Sequence, residues 1–556
     1  MTTQPPPTPI LATRNPQTNA LAHQASGTVM NFLRFSLAIF LVSCAVRPAR
    51  AQSGFGEVLF ANSGSAAAQG PFQLGVAQLH DFEYGPAADS FRKAQQMDPG
   101  FAMAYWGEAM TKNHPLWREL DLPGARSVLE RLGPSPEARA GKAVTAREKA
   151  YLHAVELLFG NGSKQERDAR YSDAMGALYR DQPGDVDAGA FYALSIMGLY
   201  RERDQATYMR AAAILEEMYS EHHNHPGINH YLIHAYDDPV HAPLGLRAAR
   251  LYSKVAPDAP HALHMTSHIF IAMGMWDEVI AANLRALNVA DAKRKARGLP
   301  PVACGHGPTW LEYGYLQTGN KAAARQLLVA CHDLAQQDKS YDATYRPVAS
   351  DLDRFPVGSF AAMRVTYLID SQDWQDEAAD WPLPSNEFPA ANLTYAYGSA
   401  LVFIHRGDLS KARLALAQMQ AAHQQFVAQL EEHHLPVEAP GHHASIQEQQ
   451  IRALILDAEG KKDQAIHLLE QAAAEEKDLP FVFGPPFIEK PSFELLAEAW
   501  LSAGKTAEPC TALQFQSTRT PGRRLTTALL SKCGPLTNAD VTKPASDSPQ
   551  ADHSHH

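Results

Sequence analysis

Two His-x-x-x-His pairs, His230/His234 and His264/His268, recur 34 residues apart, so each histidine of the first pair has a counterpart one interval later. An interval of that length holds two helices of about three to four turns each with their connections, which constrains the chain to stacked helical hairpins. Such a stack has a concave face, and a residue repeated at the hairpin interval returns to the same place on it in the next hairpin. His80 and His114 show the same separation.

The apolar pattern agrees with this reading. In the stretch from Phe72 to Pro99, Gly75, Ala87 and Ala94 put small residues where two helices must approach, Tyr84 and Phe91 fill the space between them, and Pro99 closes the second helix. Related stretches follow at 263–287, 310–328, 395–419, 446–472 and 493–513, with Gly274, Gly319, Gly407, Gly460 and Gly504 at the hairpin turns. This pattern resembles the tetratricopeptide repeat proteins that bacteria export, over most of residues 54–530. The resemblance implies an all-α solenoid of helical hairpins, coiled as a right-handed superhelix with irregular insertions, whose concave groove receives a peptide or small molecule. Residues 115–222 depart from the pattern, although Thr145-x-x-Glu148 and Ser163-x-x-Glu166 are capping boxes that start helices there. Residues 338–381, rich in Asp and Pro, predict an insertion or an irregular hairpin.

The ends lie outside the repeat body, which is expected to span 52–535. From Met30, the expected start of translation, a basic turn, an apolar run over 35–46 and Ala49-Arg50-Ala51 read as a signal peptide, preceded by a polar extension. The chain is therefore expected to be periplasmic or secreted. Leu41-Val42-Ser43-Cys44 resembles a lipobox and offers the alternative of a lipoprotein anchored through Cys44. No later stretch has the ~18 apolar residues of a membrane span. Residues 536–556 form a polar, histidine-containing tail expected to be disordered. Beyond Cys44, four cysteines remain, and pairing of sequence neighbours would join Cys304 to Cys331 and Cys510 to Cys533; four buried thiols are the alternative. The net charge of -11 excludes a phosphate-neutralising surface, so no nucleic-acid partner is expected.

Histidine is the compositional outlier: ten of the 25 fall within residues 222–306. With Gly274 as the turn glycine, the resemblance places His261, His264 and His268 on the groove face, and the hairpin interval carries His230 and His234 to the same face one repeat earlier. His306 opens the next inner helix. Side chains at i and i+4 stand ~5–6 Å apart at Cβ and packed helices ~8–10 Å apart, so His230, His234, His264 and His268 can converge on one ion. His261, His306, His80 and His114 are further candidate ligands; the last two face the central four across the groove, form a separate site or bind substrate. Imidazoles without thiolate suit copper, zinc, nickel or iron, not calcium or magnesium. Copper is favoured, with Tyr231, Tyr236 and Trp276 near enough in sequence for redox chemistry. Zinc comes next and iron is a further alternative; zinc hydrolysis would need an open position and a carboxylate base, for which Asp237 is the candidate. Asp238 reads as the closing residue of an Asp-Asp-Pro turn. No nucleophile elbow, phosphate loop or His-Glu-x-x-His motif is present. Two functions follow as expectations: a copper-dependent oxidoreductase acting on a groove-bound substrate, or a non-catalytic scaffold for a peptide or envelope protein. A histidine-rich groove for peptide or anionic ligands and plain hydrogen-bonded packing remain the competing readings of the histidines.

Overall fold

The computed structural model describes residues 54–199, 204–337, 351–432, 437–481 and 483–533, and within them the chain forms 23 α-helices, two short 3-10 turns and one two-stranded β-ribbon. The expected leader, the Met30 start, Cys44 and the polar tail lie outside the described residues. The architecture is the all-α stack of helical hairpins that the repeat pattern predicts, with successive helices packed on one another along most of the described chain.

A single turn geometry repeats along the stack. At Gly274 the N–H donates to the Ile271 carbonyl and the next N–H, of Met275, reaches back to Phe270; Gly319, Gly407, Gly460 and Gly504 close their helices in the same way. All five glycines take φ between 67° and 80°, the left-handed conformation that this cap requires and that a Cβ opposes. The first repeat departs from the rule. Phe82 stands in the glycine's place with φ 57°, its N–H on the Leu79 carbonyl and that of Glu83 on Gln78. A bulky residue there costs ~1–3 kcal/mol and persists only where its side chain is otherwise held.

Close approach explains Gly75 and Gly107. A Cβ on either would come within 2.8 or 2.3 Å of the Phe91 ring, which both helices clasp. Residues from Val58 to Tyr313 share one continuous core, whereas the later hairpins bury smaller local ones, as expected where each repeat contacts only its neighbours.

The irregular middle region is helical, and both capping boxes form as expected, Thr145 with Glu148 and Ser163 with Glu166. It also holds the β-ribbon, Asn113–His114 against Glu119–Leu120. The expected insertion at 338–381 is corrected in part. Residues 338–350 lie outside the described set, but Pro356–Ser371 is a regular helix packed between Lys321–Ala335 and Pro389–His405. Thirteen of its 16 residues are buried, so it lacks the polar face by which a helix announces itself in sequence.

Cys304 is bonded to Cys331 and Cys510 to Cys533. The chain also closes on itself: Trp276 Nε1–H donates to the Gly522 carbonyl (2.8 Å), and the fully buried Arg523 meets Glu494 and Asp370 at 2.9 Å and Tyr313 Oη at 3.2 Å. Among the described residues no helix is long and apolar enough to cross a membrane.

Candidate metal centre

Three inner helices carry the clustered histidines: Pro226–Ala235 and Pro260–Ala272 hold the two pairs, and His306–Gln317 opens with His306. Proline in the first turn starts each, where its missing N–H costs no helical hydrogen bond. The first helix is buried on every side and the second almost so, which takes His230, His234, His264 and His268 out of solvent. Within each pair the i, i+4 spacing brings Nε2 to Nε2, at 3.1 Å for His230 and His234 and 3.2 Å for His264 and His268.

The four do not converge on one point. They divide into two triads, His230/His234/His261 and His264/His268/His306, in each of which one nitrogen from every ring lies within 4.8 Å of the others. Each triad is thus an i, i+4 pair from one inner helix completed by a histidine from the first turn of the next. The triads abut, with ring centroids 5.9 Å apart for His234 and His268 and 6.4 Å for His261 and His264.

The surroundings fix which nitrogens face inward. His230 Nδ1 lies 2.6 Å from the backbone carbonyl of His80, an acceptor only, so that nitrogen carries the proton. His264 Nδ1 donates to Asn283 Oδ1 (2.7 Å), whose amide is itself oriented by donating to the Val279 carbonyl; His268 Nδ1 donates to Asp237 Oδ2 (2.5 Å). In the second triad the Nε2 lone pairs of His264 and His268 therefore face each other, an arrangement that only a cation between them satisfies, and in the first the Nε2 lone pair of His230 faces Nε2 of His234. Burial, reinforced by the neighbouring imidazoles, pushes the pKa of His230, His261 and His264 well below the usual histidine range, so a proton is a poor candidate for that cation. Nitrogens 3.1–3.2 Å apart can each stand at the ~2.0–2.1 Å typical of metal–imidazole bonds. His261 adds a buried Nε2 with no hydrogen-bond partner. The donor set fits a metal ion in each triad.

Aromatic rings wall both triads. Phe82 covers the first, its ring 4.3 Å from His230 and 5.6 Å from His261, and this packing holds its left-handed backbone. Trp310 covers the second, 4.4 Å from His268, with Phe483 on the same imidazole at 5.2 Å. Trp117 beside His261 and Phe483 are 40% and 38% exposed and His306 is exposed, so the centre meets solvent along one edge.

The other sequence candidates fall elsewhere. His80 forms a third group, of two histidines and a carboxylate, with Asp187 and His225. There His225 Nδ1 accepts the Ile228 N–H, which puts its proton on Nε2 toward Asp187 Oδ1 (3.3 Å); His80 Nε2 meets the same oxygen at 3.1 Å and its Nδ1 meets Tyr231 Oη at 3.0 Å. Burial drives the His80 pKa down to about 4, while donation from His225 and His80 outweighs the burial of Asp187 and holds its carboxyl low. This group is a hydrogen-bonded strut joining three helices, with protons where a metal would need lone pairs. His114 stacks on Tyr84 and bonds Glu119 and the Thr111 carbonyl, apart from both triads. Tyr231 is committed to His80, Tyr236 points away to Glu216, and Trp276 holds the Gly522 loop. Asp237 orients His268, and Asp238 caps the turn at Val240 and His241, as its Asp-Asp-Pro context suggested. Asn283, Phe82 and Phe483 escaped the sequence reading; Asn283 alone left a trace, as a polar residue within the buried stripe of Val279, Ala282 and Ala286.

No known family and no curated protein matches the chain in sequence. Solved structures similar to it in shape include the APC/C hetero-tetramer Cut9–Hcn1 (10% identity, 85% of this chain and 77% of that one, TM-score 0.34), yeast Tom70 (12%, 84% and 88%, 0.31) and the human IFIT1 dimer with m7Gppp-AAAA (13%, 86% and 92%, 0.31).

Proposed function

We propose that this chain is an exported helical-repeat metalloprotein whose two triads each bind a copper ion, with zinc next and iron after it, and which acts as an oxidoreductase on a molecule held in the groove. The observation that carries the reading is the duplicated Nε2-to-Nε2 approach, with His230, His264 and His268 oriented from their Nδ1 side. Copper is favoured because neither triad includes a thiolate or carboxylate and divalent copper binds nitrogen ligands most tightly of the first-row metals. Asp237 serves as acceptor for His268, which removes it from the role of hydrolytic base that a zinc enzyme would need. When bound, copper would supply reversible one-electron chemistry. The protein's part is to fix six imidazoles, to exclude water with Phe82 and Trp310, and to leave the His306 edge open. The two cysteine pairs at bonding distance suit an oxidising compartment and support export.

Metal content by plasma mass spectrometry tests the reading, using tag-free full-length chain in which His553, His555 and His556 are replaced by Ser. Two copper or zinc ions per chain, both absent from a His234→Ala/His268→Ala variant of unchanged helicity, is the expected result. A chain that refuses added metal would sink the proposal and leave a scaffold for a peptide or envelope protein.

A further inference from the structure

The boundary between the two triads is no wider than the spacing inside them. Ring pairs in contact within a triad have centroids 4.7–6.2 Å apart. The pairs that cross the boundary, His234 with His268 and His261 with His264, stand 5.9 and 6.4 Å apart. The cause lies in one helix, on which His261 completes the first triad and His264 opens the second, one turn later. At a rise of ~1.5 Å per residue that step is about 4.5 Å along the axis, close to the ~3.5–4 Å that separates the ions of two-metal centres.

Each triad supplies three nitrogens, and an ion held by three protein ligands keeps a position for a ligand from outside. Charge decides the nature of that ligand. Six neutral imidazoles bring nothing to set against the four positive charges of two divalent ions, and the carboxylate of Asp237 on the His268 ring offsets one of them. Buried charge of a single sign is costly unless it is paired, which favours an anion. Solvent reaches both triads along the same edge, past Trp117 beside His261 and past the exposed His306 and Phe483 at the second triad. Phe82 and Trp310 press on the rings of His230 and His268 at 4.3 and 4.4 Å, which favours a ligand of few atoms.

We propose that the two triads form one dinuclear centre, in which a small anion with a donor atom at each end bridges the two ions. This rests on the metal reading above. Each ion binds through its own triad; the anion is what the two share.

The probe is azide, a linear three-atom anion, added to the tag-free chain after loading with divalent copper. One azide for two ions is expected, with the copper signal in electron paramagnetic resonance falling well below two spins per chain as the bridge couples them. His306→Ala replaces an exposed side chain and leaves the ion of the first triad, so azide can attach by one end only. Its affinity is expected to fall at least about tenfold, since attachment at two points gains ~10²–10⁴ over one, and the remaining ion keeps its full spin. His261→Ala, which leaves the ion of the second triad, is expected to match. Two ions per chain that keep two full spins in azide, two azides per chain, or an azide affinity equal in the wild type and both variants overturns the bridge and leaves the metal reading standing. Fewer than two copper ions per chain before azide is added overturns both.

Discussion

Replacing Asp237 with Asn separates the two triads. The carboxylate lies 2.5 Å from His268 Nδ1 in a pair that is almost wholly buried, and it holds the ring with its proton outward and Nε2 inward. Asn preserves the volume but brings a donor as well as an acceptor; with its NH₂ toward the ring, the imidazole proton moves to Nε2 and a ligand becomes a non-ligand. Loss of such an orienting partner typically weakens metal binding 10–100-fold, about 1.4–2.7 kcal/mol at 1.36 kcal/mol per decade. The loss is confined to the second triad, because in the first His230 is oriented by the His80 backbone carbonyl, which no side-chain substitution removes. Titration against a chromophoric copper chelator, poised where the wild type holds two ions, is expected to show one step unchanged and the other weakened by that factor. Equal weakening of both steps, or of neither, would refute the assignment of Asp237 to one site.

The third ligands give a sharper division: His261→Ala is expected to cost one bound ion and His306→Ala the other, each leaving the remaining ion near wild-type affinity, as counted by mass spectrometry. The metal-free chain is expected to lose stability in acid. His80, with a folded pKa of about 4 against 6.5, stays neutral in the fold while the unfolded chain takes up a proton, so stability is fullest above pH 6.5 and about 3 kcal/mol is lost on going down to pH 4. Burial lowers His230, His261 and His264 in the same direction, which adds to the slope, and a urea midpoint that is flat between pH 7 and 5 would contradict it. Gly227→Ala places a Cβ 2.3 Å from Nδ1 of the fully buried His80 and should destabilise the chain by ~1–3 kcal/mol in denaturant unfolding.

The repeat period, the turn glycines and the histidine pairs were legible because each is a property of one helix or of the interval between two. The division into triads was not. It depends on the axial offset between neighbouring inner helices, which decides whether His261 and His306 meet the pair on their own helix or the pair before it, and a period specifies recurrence without specifying offset. Phe82 was hidden for a related reason: its turn normally selects glycine, so the residue that covers the first triad sits where sequence rules expect none. Tyr231 lies on the helix of His230 and His234 and Tyr236 caps it, yet position along the chain does not say which way a ring turns, and their hydroxyls are committed to His80 and Glu216.

The same offset explains why the array is two sites long. Helix Pro260–Ala272 serves both triads, its first turn completing one with His261 and its later turns opening the next with His264 and His268. Upstream, the place corresponding to His261 is Gly227, where His80 leaves no room for a side chain. Downstream, the places corresponding to His264 and His268 are Thr309 and Tyr313, and Tyr313 accepts from Arg523 where the C-terminal loop closes the stack. Both ends of the histidine array are thus occupied by packing and hydrogen-bond contacts between helices. Because one helix supplies three of the six imidazoles, a shift of that helix moves both triads together, whereas exchanging a single side chain on it reaches only the triad to which that side chain belongs.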